Sequence, residues 1–350
     1  MYHAIYPGRL WLDTNGKPIQ AHGGSVLYWQ GIYYWYGENK EKTTGDGAVW
    51  HWGVRCYSSR DLYNWEDCGI IIPPEPDEPD SPLHPKAMMD RPHIIYNTET
   101  KKFVCWIKVM GLDGKQRSTV LTADDLLGPY TKIRVGLRPL GMSAGDFDLA
   151  VAPDGKAYYY FERVHSETIC ADLTDDYTDV TGYYSTHFPH IAPPYVREAT
   201  AHFLRGGRHY LITSGTTGYL PNPSEVAVAD TWHGPFRVLG DPHPGDGSHT
   251  SFHSQISSVF RVEGKKDLFI AVADRWIPGH MEWQYEQYKR WFESRFCPGR
   301  QGELDFDPGK FIPDDKLDTS AARYVWLPLR FDGEMVYLDW RDSWTLDEFE

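Results

Sequence analysis

Basic residues, cysteines and long apolar stretches are all scarce in this sequence. The 350 residues include 35 Lys and Arg against 49 Asp and Glu, which gives a formal net charge of -14. Because phosphate binding needs clustered Lys and Arg, nucleic acid and anionic membrane surfaces are excluded as partners, and a neutral ligand is favoured. No apolar run reaches the roughly 18 residues that would span a membrane.

The cysteines are scattered and carry no CxxC spacing. The chain has 5 of them, at Cys56, Cys68, Cys105, Cys170 and Cys297. This pattern argues against a disulfide framework and a zinc site, and it favours buried thiols in a reducing compartment. A bridge between Cys56 and Cys68 across a turn is the alternative. The first residues lack the charged and apolar segments of a secretion signal, so we expect a cytoplasmic protein, or a secreted one if the natural chain begins earlier.

Aromatic residues are abundant, at 15% of the chain, and many alternate with other residues in short runs separated by turns. Such runs predict β-hairpins, and five of them recur at intervals of roughly 50 to 70 residues, which is typical of propeller blades. They pair residues 24–29 with 32–36, 91–96 with 103–109, 147–152 with 157–161, 200–204 with 209–214, and 256–262 with 268–273. Two more strands, 324–330 and 335–340, flank a turn and supply a closing strand. The sequence predicts an all-β fold, a five-bladed β-propeller that forms a single domain over residues 1–350.

Each hairpin is preceded by a polar residue about eight positions before its turn. In chain order these are His22 with Gly23, then Asp90, Asp146, Glu198 and Gln255. The first strand of each propeller blade lines the central channel, so equivalent strand starts converge at one end of the axis. We therefore expect the last four side chains in one pocket. The alternative is that each is an exposed residue at a strand end.

Clustered carboxylates in an aromatic-rich pocket for a neutral ligand point to glycoside hydrolysis. One carboxyl must protonate the leaving oxygen, while a second group activates water or attacks the sugar. Glu198 is the predicted acid, with Asp146 as the like-charged neighbour that raises its pKa. Arg91 either holds Asp90 ionised and oriented or forms a structural ion pair.

Several short motifs are distinctive when taken together. They are residues 21–24 (AHGG), 33–38 (YYWYGE), 90–92 (DRP), 197–199 (REA), 217–218 (TG) with 221–222 (PN), 254–255 (SQ) and 323–328 (RYVWLP). On these residues the chain resembles, over nearly its whole length, the five-bladed propellers of glycoside hydrolase family 43. Within that family it is most similar to the galactan exo-β-1,3-galactosidase branch. The resemblance implies a catalytic domain with an inverting mechanism, in which Glu198 is the general acid and Asp146 modulates it.

The chain departs from the wider family at the catalytic base. The usual aspartate is absent, and His22 and Gly23 stand in its region, as in the galactanase branch. The resemblance implies that Gln255 handles the nucleophilic water, as an imidic tautomer. Asp90 stands where the branch has a glutamate, and the shorter side chain retracts the carboxylate by about 1.5 Å.

The resemblance also implies a set of substrate-binding positions. These are His22, Gly23, Glu38, Arg91, Thr217 and Gly218. The leading interpretation is an exo-acting, inverting glycosidase that releases terminal galactose from β-1,3-linked galactan or galacto-oligosaccharides, with an oligosaccharide or polysaccharide as its partner. Asp90 keeps open an α-L-arabinofuranosidase or β-xylosidase, and the missing base keeps open a non-catalytic sugar-binding propeller.

Residues 278–322 form an insertion relative to the resembled branch. Aromatic and apolar residues at steps of three and four predict an amphipathic helix near 280–296, and its stripe consists of Met281, Tyr285, Tyr288, Phe292 and Phe296. The stripe packs on the side of the propeller, covers the sugar pocket or makes a dimer contact. We expect a contact near the pocket mouth, and a monomer or a homodimer formed through this insertion.

Histidines in the loop 241–253 are the remaining candidates for metal binding. The spacing of His243, His249 and His253 fits no zinc pattern, so no transition metal is expected and no cofactor is required. Some members of the resembled family hold calcium in the central channel beside a histidine. His253 or His202 would supply that histidine here, although no acidic calcium loop is visible.

Overall fold

The computed structural model describes residues 1–111, 113–302 and 316–350, and it confirms the predicted five-bladed β-propeller. Each of the first four blades is a sheet of four antiparallel strands in chain order. The first blade contains β1 (His22–Trp29), β2 (Ile32–Glu38), β3 (Val54–Ser59) and β4 (Glu66–Ile72), and the second contains β5 (Met88–Asn97), β6 (Lys102–Met110), β7 (Gln116–Ala123) and β8 (Thr131–Leu137). The third contains β9 (Ala144–Val151), β10 (Ala157–Arg163), β11 (Glu167–Leu173) and β12 (Val180–His187). The fourth contains β13 (Arg197–Arg205), β14 (Arg208–Gly215), β15 (Glu225–Ala229) and β16 (Arg237–Gly240). The predicted hairpins are the inner two strands of the blades.

The fifth blade is closed by the end of the chain, in shorter pieces than predicted. Strands β17 (Gln255–Arg261) and β18 (Phe269–Arg275) form its hairpin, and β19 (Arg323–Tyr324) and β20 (Leu327–Pro328) both pair with β18. The predicted strand 324–330 is therefore wrong as one continuous element. Proline at 328 lacks a backbone N–H and cannot donate to a continuing ladder. Strands β21 (Arg330–Asp332) and β22 (Met335–Tyr337) instead form a separate hairpin.

The inner strands β1, β5, β9, β13 and β17 contact one another in turn and close into a ring around the channel. The hydrophobic core lies between neighbouring blades. Between the first and last blades, the ring of Trp35 lies 4.7 Å from that of Trp326 and 5.3 Å from that of Trp65. Side chains on the two faces of each strand pack against different blades, which explains the alternating aromatic pattern of the sequence.

The predicted helix is present as α1 (Tyr285–Phe296). Its first turn is stabilised by Gln284, whose backbone N–H donates to the side chain of Gln287 at 3.0 Å. Tyr285, Tyr288 and Phe292 are buried, whereas Met281 precedes the helix and is 44% exposed. Assigning Met281 to the buried stripe was therefore wrong. Part of the insertion, residues 303–315, lies outside the described residues.

The cysteines are all free thiols, and every one except Cys68 is buried. The alternative of a bridge between Cys56 and Cys68 is therefore not present in this structure. No helix in the described ranges is long and apolar enough to cross a membrane.

Candidate active site

The starts of four inner strands meet at one pocket of about 260 Å3. Asp90 comes from β5, Asp146 from β9, Glu198 from β13 and Gln255 from β17, and all four side chains line the pocket. Further lining residues from the sequence prediction are Glu38, Arg91 and Gly218. The convergence follows from the propeller, because each blade brings the same end of its first strand to the axis.

A β-bulge begins the inner strand at two of these positions. The pairing register shifts after Asp90 and again after Glu198, and the residues that follow them, Arg91 and Ala199, have φ values of 55° and 49°. A left-handed conformation at a non-glycine residue costs about 1–3 kcal/mol. A bulge re-aims the side chain beside it, so this strain belongs to the geometry that directs both carboxylates into the pocket.

Two cations, the buried Arg91 and the partly buried Lys108, hold Asp146 in its ionised form. Its Oδ2 lies 2.8 Å from Arg91 Nη2, and its Oδ1 accepts a hydrogen bond from Lys108 Nζ at 2.8 Å. Burial raises the pKa of Asp146, but the charges of Arg91 and Lys108 outweigh burial and lower that pKa to about 2. Asp146 is therefore a carboxylate throughout the neutral range.

Glu198 is shifted in the opposite direction. Burial is the largest cause that raises its pKa well above the ordinary value, followed by the negative charges of Asp146 and Glu162. The sequence predicted the effect of Asp146, but desolvation is the greater effect. Glu198 therefore keeps its proton to a higher pH than an ordinary carboxyl, and a protonated carboxyl is what a general acid in glycoside cleavage needs.

Asp90 stands across Lys108 from Asp146. Its Oδ1 accepts a hydrogen bond from Trp50 Nε1 at 2.6 Å, and its Oδ2 lies 3.2 Å from Lys108 Nζ. Burial raises the pKa of Asp90, but Lys108 and Lys40 outweigh burial and keep that pKa below its ordinary value. The sequence placed Arg91 as the partner of Asp90. In the structure, Arg91 pairs with Asp146, and Asp90 pairs with Lys108 and Lys40.

Glu38 reaches the pocket from the end of β2. Its Oε1 accepts the backbone N–H of Arg91 at 2.9 Å, and its Oε2 lies 2.9 Å from Lys40 Nζ. Burial raises the pKa of Glu38 to about 7. Gly23 does not line the pocket, and its role is to leave space, since a Cβ there would lie 2.4 Å from Glu38 Oε1.

His22 and Thr217 do not line the pocket, so the predicted direct contact with substrate is not offered by their side chains. His22 is fully buried, and its Nδ1 and Nε2 lie 2.9 Å from Asp274 Oδ1 and 3.2 Å from the hydroxyl of Tyr324. The hydroxyl of Thr217 accepts a hydrogen bond from Asn222 Nδ2 at 2.7 Å. Both residues shape the surrounding backbone.

Gln255 has a fully specified set of partners. Its Oε1 accepts from Arg91 Nη2 at 2.5 Å and from Trp276 Nε1 at 3.2 Å. Its Nε2 donates to Ser214 Oγ at 3.0 Å and lies 3.5 Å from Glu198 Oε1. An imidic tautomer would carry a proton on the oxygen, yet that oxygen faces two groups that are themselves donors. These contacts favour the ordinary amide over the imidic tautomer.

Aromatic residues that the sequence reasoning did not assign to the site form one wall. The ring of Tyr219 lies 5.7 Å from that of Trp50 and 4.9 Å from that of Trp276. Lys40 Nζ lies 4.7 Å from the Trp50 ring, which completes a rigid end to the pocket. Trp50 and Tyr219 lie in loops outside any hairpin pattern, so the sequence held no periodic signal for them.

Comparison with known families shows which family the chain belongs to. The family described as glycosyl hydrolases family 43 matches residues 17–258, which is more than half of the chain. The chain belongs to glycosyl hydrolases family 43. It is therefore a glycoside hydrolase with a carbohydrate substrate, as the resemblance predicted.

Solved structures in this family share its fold. Two family 43 β-1,3-galactosidases each have 29% sequence identity and a TM-score of 0.78. The match to the first covers 99% of this chain and 64% of that one, so this chain spans less than two thirds of that protein. The structure of the second contains galactodeoxynojirimycin, and the match covers 98% of this chain and 100% of that one. An exo-β-1,3-galactanase from Phanerochaete chrysosporium has 24% identity and a TM-score of 0.78 over 98% of this chain and 68% of its own. No curated protein sequence matches.

Helix α1 of this family 43 enzyme lies at the pocket mouth, where a contact was expected. Phe292 and Phe296 line the pocket together with His165. The ring of Phe296 is 5.9 Å from the ring of His165 and 6.0 Å from that of Phe292. The insertion thus contributes side chains to the site.

The carboxylate of Asp148, on inner strand β9, is occupied by protein groups. Asp148 contacts His93 Nε2 at 3.0 Å and accepts the backbone N–H groups of Leu149 and His202 at 2.7 and 2.6 Å. Calcium takes six to eight oxygen ligands, and a carboxylate already committed in this way does not fit that need. Across the described ranges, no group of three or more His, Cys, Asp or Glu side chains is arranged to hold a metal ion.

Proposed function

We propose that this family 43 enzyme is an exo-acting, inverting glycosidase that releases terminal galactose from β-1,3-linked galactan or galacto-oligosaccharides. The opposed protonation states of Glu198 and Asp146 carry the proposal. A pocket ended by Trp50, Tyr219 and Trp276 suits the terminal residue of a chain rather than its middle. The family 43 β-1,3-galactosidases with 29% identity support galactose as the sugar.

Glu198 acts as the general acid. As the bond between the anomeric carbon and the glycosidic oxygen breaks, its electron pair goes to that oxygen, which takes the proton of Glu198. Water attacks the anomeric carbon from the opposite face, and this displacement inverts its configuration. Asp146, held ionised by Arg91 and Lys108, keeps Glu198 protonated until this step.

Asp90 takes the proton of the attacking water. It is ionised because Lys108 and Lys40 outweigh its burial, and its side chain lines the pocket. An inverting base must stand far enough from the anomeric carbon to leave room for water, and an aspartate retracts the carboxylate relative to a glutamate. Gln255 contacts this water through the amide N–H whose present contact, to Glu198 Oε1, is a long 3.5 Å, because Arg91 and Trp276 occupy its oxygen and Ser214 accepts its other N–H.

Cleavage of a pentoside is the second candidate, and Asp90 is the residue that favours it. The resembled galactanase branch carries a glutamate there, and the shorter side chain loses about 1.5 Å of reach towards a sugar hydroxyl. An α-L-arabinofuranosidase or β-xylosidase would not need the lost contact. A non-catalytic sugar-binding propeller is not favoured, because the pKa of Glu198 is raised in the direction that an acid needs.

A small substrate panel tests the proposal. β-1,3-Galactobiose, p-nitrophenyl β-galactoside, β-xyloside and α-arabinofuranoside are each incubated with the wild type and with Glu198→Gln, and the first-formed anomer is followed by NMR. The expected result is release of α-galactose from both galactosides by the wild type, and loss of that release from β-1,3-galactobiose in the variant. Release of a pentose alone would move the specificity to the second candidate, and release of β-galactose would exclude inversion.

A further inference from the structure

Helix α1 is fixed to the propeller at both of its ends. At its start, the backbone N–H of Tyr285 donates to the carbonyl of Ser248 at 3.1 Å. At its end, the thiol of Cys297 donates to the carbonyl of Pro193 at 3.5 Å. The helix is therefore attached to the propeller at both ends while it forms part of the pocket lining.

A buried glutamate adds to this attachment. Glu293 is 6% exposed, accepts a hydrogen bond from the hydroxyl of Tyr195, and lies 2.6 Å from Arg300 Nη1 through its other oxygen. Tyr195 is three residues from Glu198 in the sequence. The helix is thus held against the same loop that leads into the strand of the proposed acid.

The buried face of the helix packs on an apolar cluster, and Phe296 of the last turn packs against the edge of that cluster. Tyr285, Tyr288 and Phe292 pack with other buried residues, namely Leu220, Ile277, Trp283 and Leu317. Phe296 is only partly buried and lines the pocket. Helix α1, which is attached to the propeller at both ends, therefore presents the rings of Phe292 and Phe296 to the pocket.

Phe296 lies on the Glu198 side of the pocket. The next residue, Cys297, donates to the carbonyl of Pro193, which precedes Glu198 by five residues, and the ring neighbour His165 contacts Glu162 Oε1 through Nδ1 at 3.3 Å. Trp50 belongs to the side of Asp90 and Lys40, because its Nε1 donates to Asp90 Oδ1 and Lys40 Nζ lies over its ring. A general acid protonates the oxygen that joins the terminal sugar to its leaving group, so the leaving group extends along the Glu198 side.

We propose that Phe292 and Phe296 form the apolar wall of the leaving-group subsite, which accepts the ring face of a second sugar or an aromatic aglycone. This inference rests on the proposed function and adds a specificity-determining role for the 278–322 insertion. The wall favours leaving groups that present a flat apolar face. A leaving group without a ring gains nothing from it.

Three galactosides with different leaving groups test this subsite. They are β-1,3-galactobiose, p-nitrophenyl β-galactoside and β-galactosyl fluoride, whose leaving group has no ring. We expect Phe296→Ala to lower kcat/KM for the first two by about 10-fold, because the apolar contact is lost, and to change kcat/KM for the fluoride by less than about 2-fold. The Kd of galactodeoxynojirimycin, which lacks a leaving group, should not change.

Lys289→Ala is the matched control on the same helix, because Lys289 pairs with Glu286 and does not line the pocket. Phe296→Leu keeps the apolar volume and loses the flat face, so it supplies a folded variant with an intermediate loss if the alanine variant is unstable. Equal losses on all three substrates, or no loss on any, would overturn the subsite. An inactive wild type would overturn the proposed function itself, which is a distinguishable result.

Discussion

The carboxylate of Glu38 occupies the space that a side chain at Gly23 would need. A Cβ on Gly23 would lie 2.4 Å from Glu38 Oε1, and Gly23 also has a φ of 59°. Position 23 lies in the region where the wider family carries its basic aspartate. In this chain that region is glycine, and a glutamate from the neighbouring strand β2 lies beside it.

Replacing Gly23 should therefore damage the site more than the fold. We expect Gly23→Ala to lower kcat/KM by at least about 10-fold as Glu38 is displaced, in addition to about 1 kcal/mol of backbone strain in the free energy of unfolding. Gly31→Ala is the matched control, because Gly31 has a φ of 85° in the same blade and nothing within 4 Å. Kinetics and thermal unfolding of both variants separate the two effects, and equal kinetic losses would contradict the role of Glu38.

The need for a proton from Glu198 should depend on the leaving group. We expect Glu198→Gln to lower kcat for β-1,3-galactobiose by about 10²–10⁴-fold, because the glycosidic oxygen leaves as a poor anion without protonation. Fluoride leaves without a proton, so β-galactosyl fluoride should lose far less. Steady-state kinetics on the two substrates provide the measurement. Similar losses on both would mean that Glu198 has some role other than acid catalysis.

The alkaline limb of the pH profile should move in opposite directions when the two charges beside Glu198 are removed. Activity requires protonated Glu198 and falls as pH rises through its pKa. Asp146 raises that pKa and Lys108 lowers it, after the larger effect of burial. Asp146→Asn should shift the limb of kcat/KM to lower pH, and Lys108→Met should shift it to higher pH.

Removing Lys108 should move the acid limb as well. Lys108 lowers the pKa of Asp146 and of Asp90, so both carboxylates of the variant protonate at higher pH. The matched controls are Lys102→Met and Asp124→Asn, which remove one charge each from an exposed pair on the same blade. The assignment fails if the control variants shift the profile as far as the pocket variants do.

Azide should rescue a variant that lacks the proposed base. Asp90→Asn should lower kcat by about 10²–10⁴-fold, and added azide should restore turnover because it attacks without deprotonation. Inversion predicts α-galactosyl azide as the product, which NMR identifies. Glu38→Gln and Gln255→Ala should not be rescued in this way. Rescue of either one instead of Asp90→Asn would transfer the role of base to that residue.

Hairpin spacing and the residues that begin the inner strands were readable in the sequence. Alternating side chains face two neighbouring blades, so the period-two pattern is imposed along every inner strand. Equivalent strand starts must then meet at the axis, which is why Asp90, Asp146, Glu198 and Gln255 could be placed in one pocket. The last blade was less readable because its third strand is divided between two short segments.

Contacts between blades were decided by the tertiary structure alone. Position in the chain suggested that Arg91 pairs with Asp90, but Arg91 and Lys108 both contact Asp146 of the next blade, while Lys108 also faces Asp90 across its own hairpin. His22 has the same register as the pocket residues, yet Asp274 and Tyr324 of the closing blade bury it. The alternation of apolar and polar residues along a strand determines which face of the strand is buried. The partner that a buried charge finds in another blade depends on which blades are neighbours, and closure of the ring decides which blades are neighbours.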